Sequence, residues 1–326
     1  MEAVLSGDIG GTKTRLAIAS VAGVSVTIVR EVEFPSSAYA SFETLLAEFL
    51  ADGEIPGRAA FGVAGPVSGR TVQATNLPWK IDADALQRQF GFGSCTLLND
   101  LEATAYGLPA LGSADLLTLQ QGAADATGNE AVIAAGTGLG EAGLFWDGNR
   151  HLPFATEGGH ASFAPANTLE FALFRHLQQQ HQHVSWERIV SGMGIVSLHE
   201  FLRQYRRVDA PDWLLGQMQS GDQAAAISNA ALDGTDPVCI ETMDCFVKLY
   251  GAEAGNLALK VMSRGGIYLG GGIAPKILPL LQRGNFIEAF LNKGRMRHLL
   301  EAMPVSVILN DRAALYGPAL RAAAQA

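Results

Sequence analysis

The chain opens on three short apolar runs, AVLSGD, TRLAIAS and VSVTIVREVEF, joined by turns that carry glycine. Runs of this length, rich in Val and Ile and bounded by glycine, predict strands, and the short turns predict an antiparallel meander. The period then changes. In SFETLLAEFLAD, Phe42, Leu45, Leu46, Phe49 and Leu50 recur at helical spacing on one face, and Ser41 stands where an N-cap belongs. RAAFGVAG predicts a strand and IDADALQRQFG a helix started by Asp82 or Asp84 and stopped by Gly91. CTLLND predicts a strand and LEATAYGL a helix. The order β-β-β-α-β-α-β-α is a meander followed by right-handed crossovers, an α/β arrangement.

The pattern then recurs. EAVIAAGTGLGEAGLFW parallels VLSGDIGGTKTRLAIA, with strand, glycine turn and strand in each. Residues from about 165 to 265 are mostly helical and include the polar tract HLQQQHQH. The last third holds GGIYLGGGIAPKILPLL, then PVSVILND and a closing helix. LLNDLEATAYG (97–107) and ILNDRAALYG (308–317) both end an apolar run with Asn-Asp and enter an alanine-rich segment closing on Tyr-Gly. Two similar halves facing each other are predicted, through a faint internal repeat without a solenoid period. An aspartate at the tip of a buried strand suits a catalytic base and equally a helix cap. Local pattern therefore does not separate Asp100 from Asp311.

Composition narrows the field. A chain of 326 residues accommodates two domains, and 48% apolar with 17% charged residues allows a large core. A net charge of −9 argues against a general nucleic-acid binder but leaves nucleotide binding open. The three cysteines, Cys95, Cys239 and Cys245, form no CxxC, so reduced thiols are expected. MEAVLSGD has no basic leader, and no apolar run reaches the ~18–20 residues of a membrane span. A soluble cytoplasmic protein is expected.

Three glycine turns are candidates for chemistry. GDIGGTKT (7–14) lacks the spacing of a Walker A loop. Between two strands, its backbone N–H groups at Gly10 and Gly11, with the Thr12 and Thr14 hydroxyls, can line an anion nest. Asp8 at the strand tip can hold the water shell of Mg²⁺. An ordinary hairpin turn explains the same residues. GTGLGEAG (136–143) contains G-x-G-x-x-G as Gly138, Gly140 and Gly143, but an apolar run, not a helix, follows. A second phosphate hairpin at Gly136, Thr137 and Gly138 fits better than a dinucleotide fingerprint. In GGGIAPK (270–276), Gly270, Gly271 and Gly272 follow a strand, and Pro275 suits a helix's first turn. Backbone there can pack against a flat ligand such as adenine, near a helix N-terminus that favours anions.

Taken in order, DIGGTKTRLA, GVAGPVSG, NLPW, LLNDLEATAYG, AAGTGLGEAGLF, EGGH, ERIVSGMGI and YLGGGIAPK resemble the bacterial glucokinase family, within the actin–hexokinase–Hsp70 superfamily of ATPases. The matches run from about residue 5 to 276, and the tail LYGPAL is compatible. The resemblance implies a two-domain actin-like (ribonuclease-H-like) α/β fold with a central cleft. The small domain would be 1–110 plus 301–326 and the large domain 111–300. It implies Asp100 as catalytic base, Asn99 beside it on the sugar, and Glu157, His160 and Glu187 as further sugar ligands. It gives Asp8, Gly11, Thr12 and Thr137 to phosphates and Mg²⁺, and GGGIAPK to adenosine. The chain lacks the Cys-rich zinc motif of the ROK sugar kinases and the helix-turn-helix of their repressor relatives. A homodimer is implied as well.

The chemistry asks for such a set. Phosphoryl transfer to a hydroxyl needs positioning, charge neutralisation and removal of one proton, which a carboxylate supplies. Vicinal hydroxyls need donors and acceptors around one ring, which Asn99, Glu157, His160 and Glu187 offer, with Gly158 and Gly159 allowing close backbone approach. Blander readings exist. Glu157 and His160 could be metal ligands without a third. His176, His181 and His183 fit a solvated helix face, Glu187 alone fits a surface helix, and Lys13 is undecided. Asp311 is expected as a structural cap of the closing helix, with charge pairing to the adjacent Arg312. The expectation is an ATP- and Mg²⁺-dependent kinase of glycolysis that converts D-glucose to glucose 6-phosphate at the 6-hydroxyl. Another hexose, or a nucleotide-switched regulator without a sugar site, are the rivals.

Overall fold

The computed structural model describes residues 2–324. β1 (Glu2–Ile9), β2 (Lys13–Ala22) and β3 (Ser25–Pro35) form the predicted antiparallel meander. α1 (Phe42–Leu50) follows. The Ser41 hydroxyl accepts from the Thr44 amide at 3.3 Å, and the five apolar residues of its stripe are buried. β4 (Arg58–Val63) leads into a small sheet of β5 (Val67–Ser68), β6 (Thr71–Gln73) and β7 (Lys80–Asp82). Strands of two or three residues carry no readable period, so this sheet leaves no sign in the hydrophobic pattern. α2 (Ala83–Phe90) is capped by Asp82, whose carboxylate accepts from the Asp84 and Ala85 amides, and it ends on Gly91 at φ 73°. β8 (Ser94–Asn99) then runs into α3 (Asp100–Gly107). The main sheet runs β3-β2-β1-β4-β8, with β4 parallel to both β1 and β8.

The second half repeats this plan. β9 (Leu116–Gln120) precedes β10 (Glu130–Ala135), β11 (Leu139–Trp146) and β12 (His151–Thr156). A helical stretch follows: α4 (Thr168–Gln178), α5 (Gly192–Arg206), α6 (Asp212–Ser220), α7 (Gln223–Leu232) and α8 (Pro237–Val261). β13 (Gly266–Gly270), α9 (Leu278–Leu281), α10 (Asn285–Leu291), α11 (Arg297–Glu301), β14 (Val305–Ile308) and α12 (Ala313–Ala323) complete the chain. β10 pairs antiparallel with β11 and parallel with β13, and β13 is parallel to β14, as in the first sheet. No described helix is long and apolar enough to cross a membrane.

The chain divides into two compact units. One holds the residues up to Asp115, the short piece Leu152–Ala155 and the C-terminal segment from Asn310. The other holds Leu116–His151 and Thr156–Leu309. The C-terminal segment of the first unit thus starts after β14, because Val305–Ile308 are hydrogen-bonded between β13 and β9 in the second unit's sheet. Each unit has its own core. In the first, α1 packs Phe42 edge-on against Phe61, with ring centroids 5.0 Å apart. In the second, the long helix α8 buries Tyr250, whose hydroxyl donates to the Ile133 carbonyl of β10 at 3.0 Å.

The repeated Tyr-Gly now has a physical reason. α3 and α12 cross in contact within the first unit. A Cβ on Gly107 would overlap the Ala313 carbonyl, and one on Gly317 would overlap the Ala103 carbonyl. Each helix thus needs its glycine to admit the other's backbone. α12 also sets Ala319 and Ala322 against Val4, Ala19 and Ala60 of the sheet. Gly317→Ala is expected to force the helices apart and to destabilise the protein by about 1–3 kcal/mol, the usual range for overpacking. Thermal and denaturant melts check this; an unchanged midpoint would show that the helices adjust freely.

Candidate active site

The first glycine turn closes the β1–β2 hairpin. The Gly10 amide donates to the Lys13 carbonyl at 2.9 Å, so it is a hairpin bond rather than an open donor. The Thr14 hydroxyl, expected in an anion nest, is instead buried and hydrogen-bonded to Ser36 Oγ at 2.9 Å, while the Ser36 hydroxyl donates to the Gly10 carbonyl at 2.8 Å. β-Sheet alternation turns Thr14 inward. Gly11 and Thr12 remain at the accessible tip. Lys13 is exposed and pairs with Glu33 at 2.7 Å.

Asp8 faces Arg15 across the hairpin register. Arg15 NH2 donates to Asp8 Oδ2 at 2.9 Å and Nε donates to the same oxygen at 3.3 Å, which leaves Oδ1 without a hydrogen bond among the described residues. Arg15 NH1 also reaches Asp311 Oδ2 at 2.8 Å. Burial raises the Asp8 pKa, and the Arg15 guanidinium opposes it. Arg15 was missed from the sequence, although counting back along a tight hairpin from Asp8 would have found it.

The expected role of Asp311 needs correction. It does not cap α12, whose N-cap Arg312 makes no side-chain cap bond. The Arg312 amide donates instead to Asn310 Oδ1 at 3.0 Å, and the Arg312 side chain pairs with Glu31 at 3.0 Å, not with Asp311. In the other repeat Asn99 has the same place: its Oδ1 accepts from the Leu101 and Glu102 amides at 3.0 and 3.4 Å. In both LND turns the asparagine oxygen accepts a backbone amide two residues on, but only Asn99 caps its helix. Asp100 then occupies the first turn of α3, its Oδ1 accepting from the Leu101 amide at 2.9 Å. Asn99 keeps its amide nitrogen directed at the Gly65 carbonyl, 3.4 Å away.

In the second unit the other glycine turns meet. GTGLG is followed by β11, as expected for a hairpin. The Gly136 amide donates to Gly138 O at 2.8 Å, and Thr137 is exposed at the tip. Gly271, at φ 79°, lies against the Ala135 carbonyl, and the Ile273 amide donates to that carbonyl at 3.2 Å. The loop Gly270–Gly272 thus sits beside the hairpin 136–138. Pro275 falls in a single 3-10 turn, Ala274–Ile277, and α9 beyond has four residues. The expected helix-dipole contribution is therefore not available there.

Glu157, His160 and Glu187 are brought together. Glu157 precedes a tight turn, Gly158–His160. His160 Nε2 is 3.8 Å from Glu157 Oε2, and Nδ1 is 3.9 Å from Glu187 Oε1. Glu187 Oε2 accepts from the Leu139 amide at 3.1 Å and occupies the space a side chain on Gly138 would need. The Glu187 carboxylate is thereby fixed to the second glycine hairpin. The turn is held from behind: the Trp186 amide donates to the Ala161 carbonyl at 3.0 Å, and the Phe163 amide to Val184 O at 2.9 Å. His183 contributes too, its Nε2 lying 3.0 Å from the His160 carbonyl. The Gln/His tract is therefore not one solvated helix face; α4 stops at Gln178 and the chain turns back toward the site. Gly158 and Gly159 admit Glu141 and the Leu139 carbonyl of β11, not a ligand.

Asn99 and Asp100, with Asp8 and the first hairpin, belong to the first unit, and the acidic-His cluster with the other two glycine turns belongs to the second. Among the described residues the one set of three potential metal ligands is elsewhere: His199, Asp236 and Cys239. Arg203 fills it, its Nε donating to His199 Nε2 at 3.0 Å and NH2 to Asp236 Oδ1 at 2.7 Å. Burial and then Arg203 push the His199 imidazole down to about 4. This is a neutral histidine accepting from an arginine, not a cation site.

Two similar α/β units, each with a glycine hairpin between its first two paired strands, match the actin-like ATPase fold of known sugar kinases. A glucokinase from an Antarctic psychrotroph superposes with a TM-score of 0.87 at 32% identity, covering 99% of both chains. A ROK-family glucokinase from Streptomyces griseus, solved with glucose and AMPPNP, gives 0.66 at 22% identity over 98% of this chain and 99% of that one. A family model described as Glucokinase matches residues 5–325. The glucokinase of Trichormus variabilis is 42% identical over 99% of each chain. The chain belongs to the glucokinase family.

Proposed function

We propose that the protein transfers the γ-phosphoryl group of ATP to the 6-hydroxyl of D-glucose, with Asp100 as the general base. Membership of the glucokinase family supports the reaction. The observation that carries the residue assignment is the division of labour in the LND turn: Asn99 caps α3, and the Asp100 carboxylate is oriented at the first turn by the Leu101 amide. A carboxylate oriented on a backbone amide and directed at a sugar hydroxyl accepts its proton as the hydroxyl attacks phosphorus. Glu157, His160 and Glu187 offer acceptors and a switchable donor to the ring hydroxyls, and Asn99 a donor through its amide nitrogen. The tips Gly11–Thr12 and Gly136–Gly138 offer backbone N–H groups to the phosphates, and the loop Gly270–Gly272 a flat surface for adenine.

The donor set at Asp8 fits Mg²⁺. The metal binds with one or two carboxylates, waters and substrate phosphates, and Asp8 offers an open Oδ1 while Arg15 fixes its other oxygen. The ion would neutralise charge developing on the transferred group. The finer features of the reading are a cleft between the two units that receives both substrates, a cytoplasmic setting and a homodimer. Compaction in small-angle scattering on adding glucose tests the first, and light scattering in solution tests the last.

The direct test is ADP release with MgATP across a panel of hexoses. Turnover is expected with glucose and little without sugar. Absence of sugar-dependent turnover across the panel would overturn the kinase reading, and faster turnover with mannose or an N-acetylhexosamine would overturn the choice of substrate.

A further inference from the structure

Glu141 lies on β11 just past the second glycine hairpin, and Glu253 lies on α8. The two residues are 2% and 0% exposed, and their carboxyls lie within hydrogen-bonding reach of each other. Each has an Oε1 with no hydrogen-bond partner among the described residues. Two buried carboxylates in contact do not both ionise. With no N–H or O–H group between them, the available donor is a proton on one of the pair.

The surroundings decide which one carries it. Glu253 Oε2 accepts from Asn256 Nδ2 at 2.7 Å, and Asn256 Oδ1 accepts from Lys293 Nζ at 2.6 Å. Lys260 Nζ stands 3.5 Å from Glu253 Oε1. Lys260 pairs with Glu253 directly and Lys293 reaches it through Asn256, and among the described residues Glu141 has no ion pair. Glu253 is accordingly the charged member and Glu141 the neutral acid.

Glu141 is also the seat of the turn that carries Glu157 and His160. Its Oε2 occupies the space a side chain on Gly158 would need. Its carbonyl accepts from the Thr156 hydroxyl at 3.0 Å, and that hydroxyl in turn accepts from the Gly158 amide at 3.2 Å. We propose that Glu141, sharing a proton with Glu253, is a positioning residue for sugar binding: its neutral carboxyl seats Gly158, and through it Glu157 and His160. The proposal rests on reading those two as sugar ligands.

Loss of the shared proton would set two like charges in a dry site against the turn. The groups facing the pair are Tyr250, Asn256 and Lys260 on α8 and Lys293 beyond α10. Burial first, and then the Glu253 charge, push the Glu141 carboxyl up to about 8. The folded value lies above the ordinary one, so the proton is kept when folded and lost when unfolded between pH 4.5 and about 8. Stability therefore falls with rising pH in that window and levels off above it.

The test is the pH profile of KM for glucose. A group titrating near 8 leaves about one-eleventh of the protein competent at pH 9, so wild-type KM is expected to rise about tenfold from pH 7 to 9, with kcat changing less. Glu141→Gln keeps the shape and the neutral state, and its KM is expected to stay flat across that range. Glu253→Gln removes the neighbouring charge, moves the alkaline limb to lower pH, and keeps the test open should Glu141→Gln fail to fold. A flat wild-type profile, or a limb that neither variant moves, overturns the proposal. His160→Ala separates the two layers. If it leaves KM unchanged, the sugar-site reading fails; if it raises KM while Glu141→Gln keeps the limb, only the shared proton is rejected.

Discussion

Asp100→Asn is expected to lower kcat by ~10²–10⁴, the usual worth of a general base, and to leave glucose binding largely intact. Asparagine keeps the shape and still accepts from the Leu101 amide through its oxygen, as Asp100 does at 2.9 Å. The start of α3 is unaffected because its cap is Asn99. What is lost is the carboxylate proposed to take the hydroxyl proton. Asp311→Asn is the matched control from the other repeat. Asp311 pairs with Arg15 at 2.8 Å but its side chain is 84% exposed, where solvent screens the pair, so kcat should stay within about threefold of wild type. Kinetics and melting curves of both variants decide the matter. If folded Asp311→Asn is inactive and Asp100→Asn is not, the base belongs to the other half of the repeat.

Much of this was legible from the chain because the informative signals are local. The meander, α1 with its Ser41 cap, α2 between Asp82 and Gly91, and the two glycine hairpins each follow from period and turn chemistry within about a dozen residues. The candidate sugar ligands were legible through motifs, and one of the two acidic-His contacts, Glu157 with His160, lies within one turn. What the sequence withheld depends on what lies across from a residue. Asp8 meets Arg15 through strand register, and Arg15 meets Asp311 from nearly three hundred residues away. The same applies to Thr14, which reads as an exposed hydroxyl until Ser36 is seen against it. Gly158 and Gly159 look like space left for a ligand. Only tertiary packing reveals that β11 fills it, and that a buried acid stands there. Capping misled for a subtler reason: Asn and Asp cap about equally well, so Asn-Asp does not say which residue takes the role.

Glu187→Ala carries the second large effect, on substrate binding. The carboxylate joins three things: its Oε2 accepts from the Leu139 amide at 3.1 Å, its Oε1 lies 3.9 Å from His160 Nδ1, and its space is kept open by Gly138. Truncation leaves a partly buried amide unpaired, frees the imidazole and removes an acceptor for a sugar hydroxyl. Each unmade hydrogen bond costs about 1–3 kcal/mol, and the losses partly overlap, so KM for glucose is expected to rise by about 10–100-fold with a smaller fall in kcat. Glu187→Gln should fall between, because its amide oxygen can still accept from Leu139 while its nitrogen donates where the carboxylate accepted. Deoxyglucose analogues locate the hydroxyl. The analogue lacking the group that Glu187 holds should lose efficiency with the wild type and lose much less with Glu187→Ala, since the two removals delete one interaction. If Glu187→Ala binds glucose as the wild type does, the carboxylate serves only to brace the hairpin at Leu139, and the sugar's acceptors must be sought among Glu157 and His160 alone.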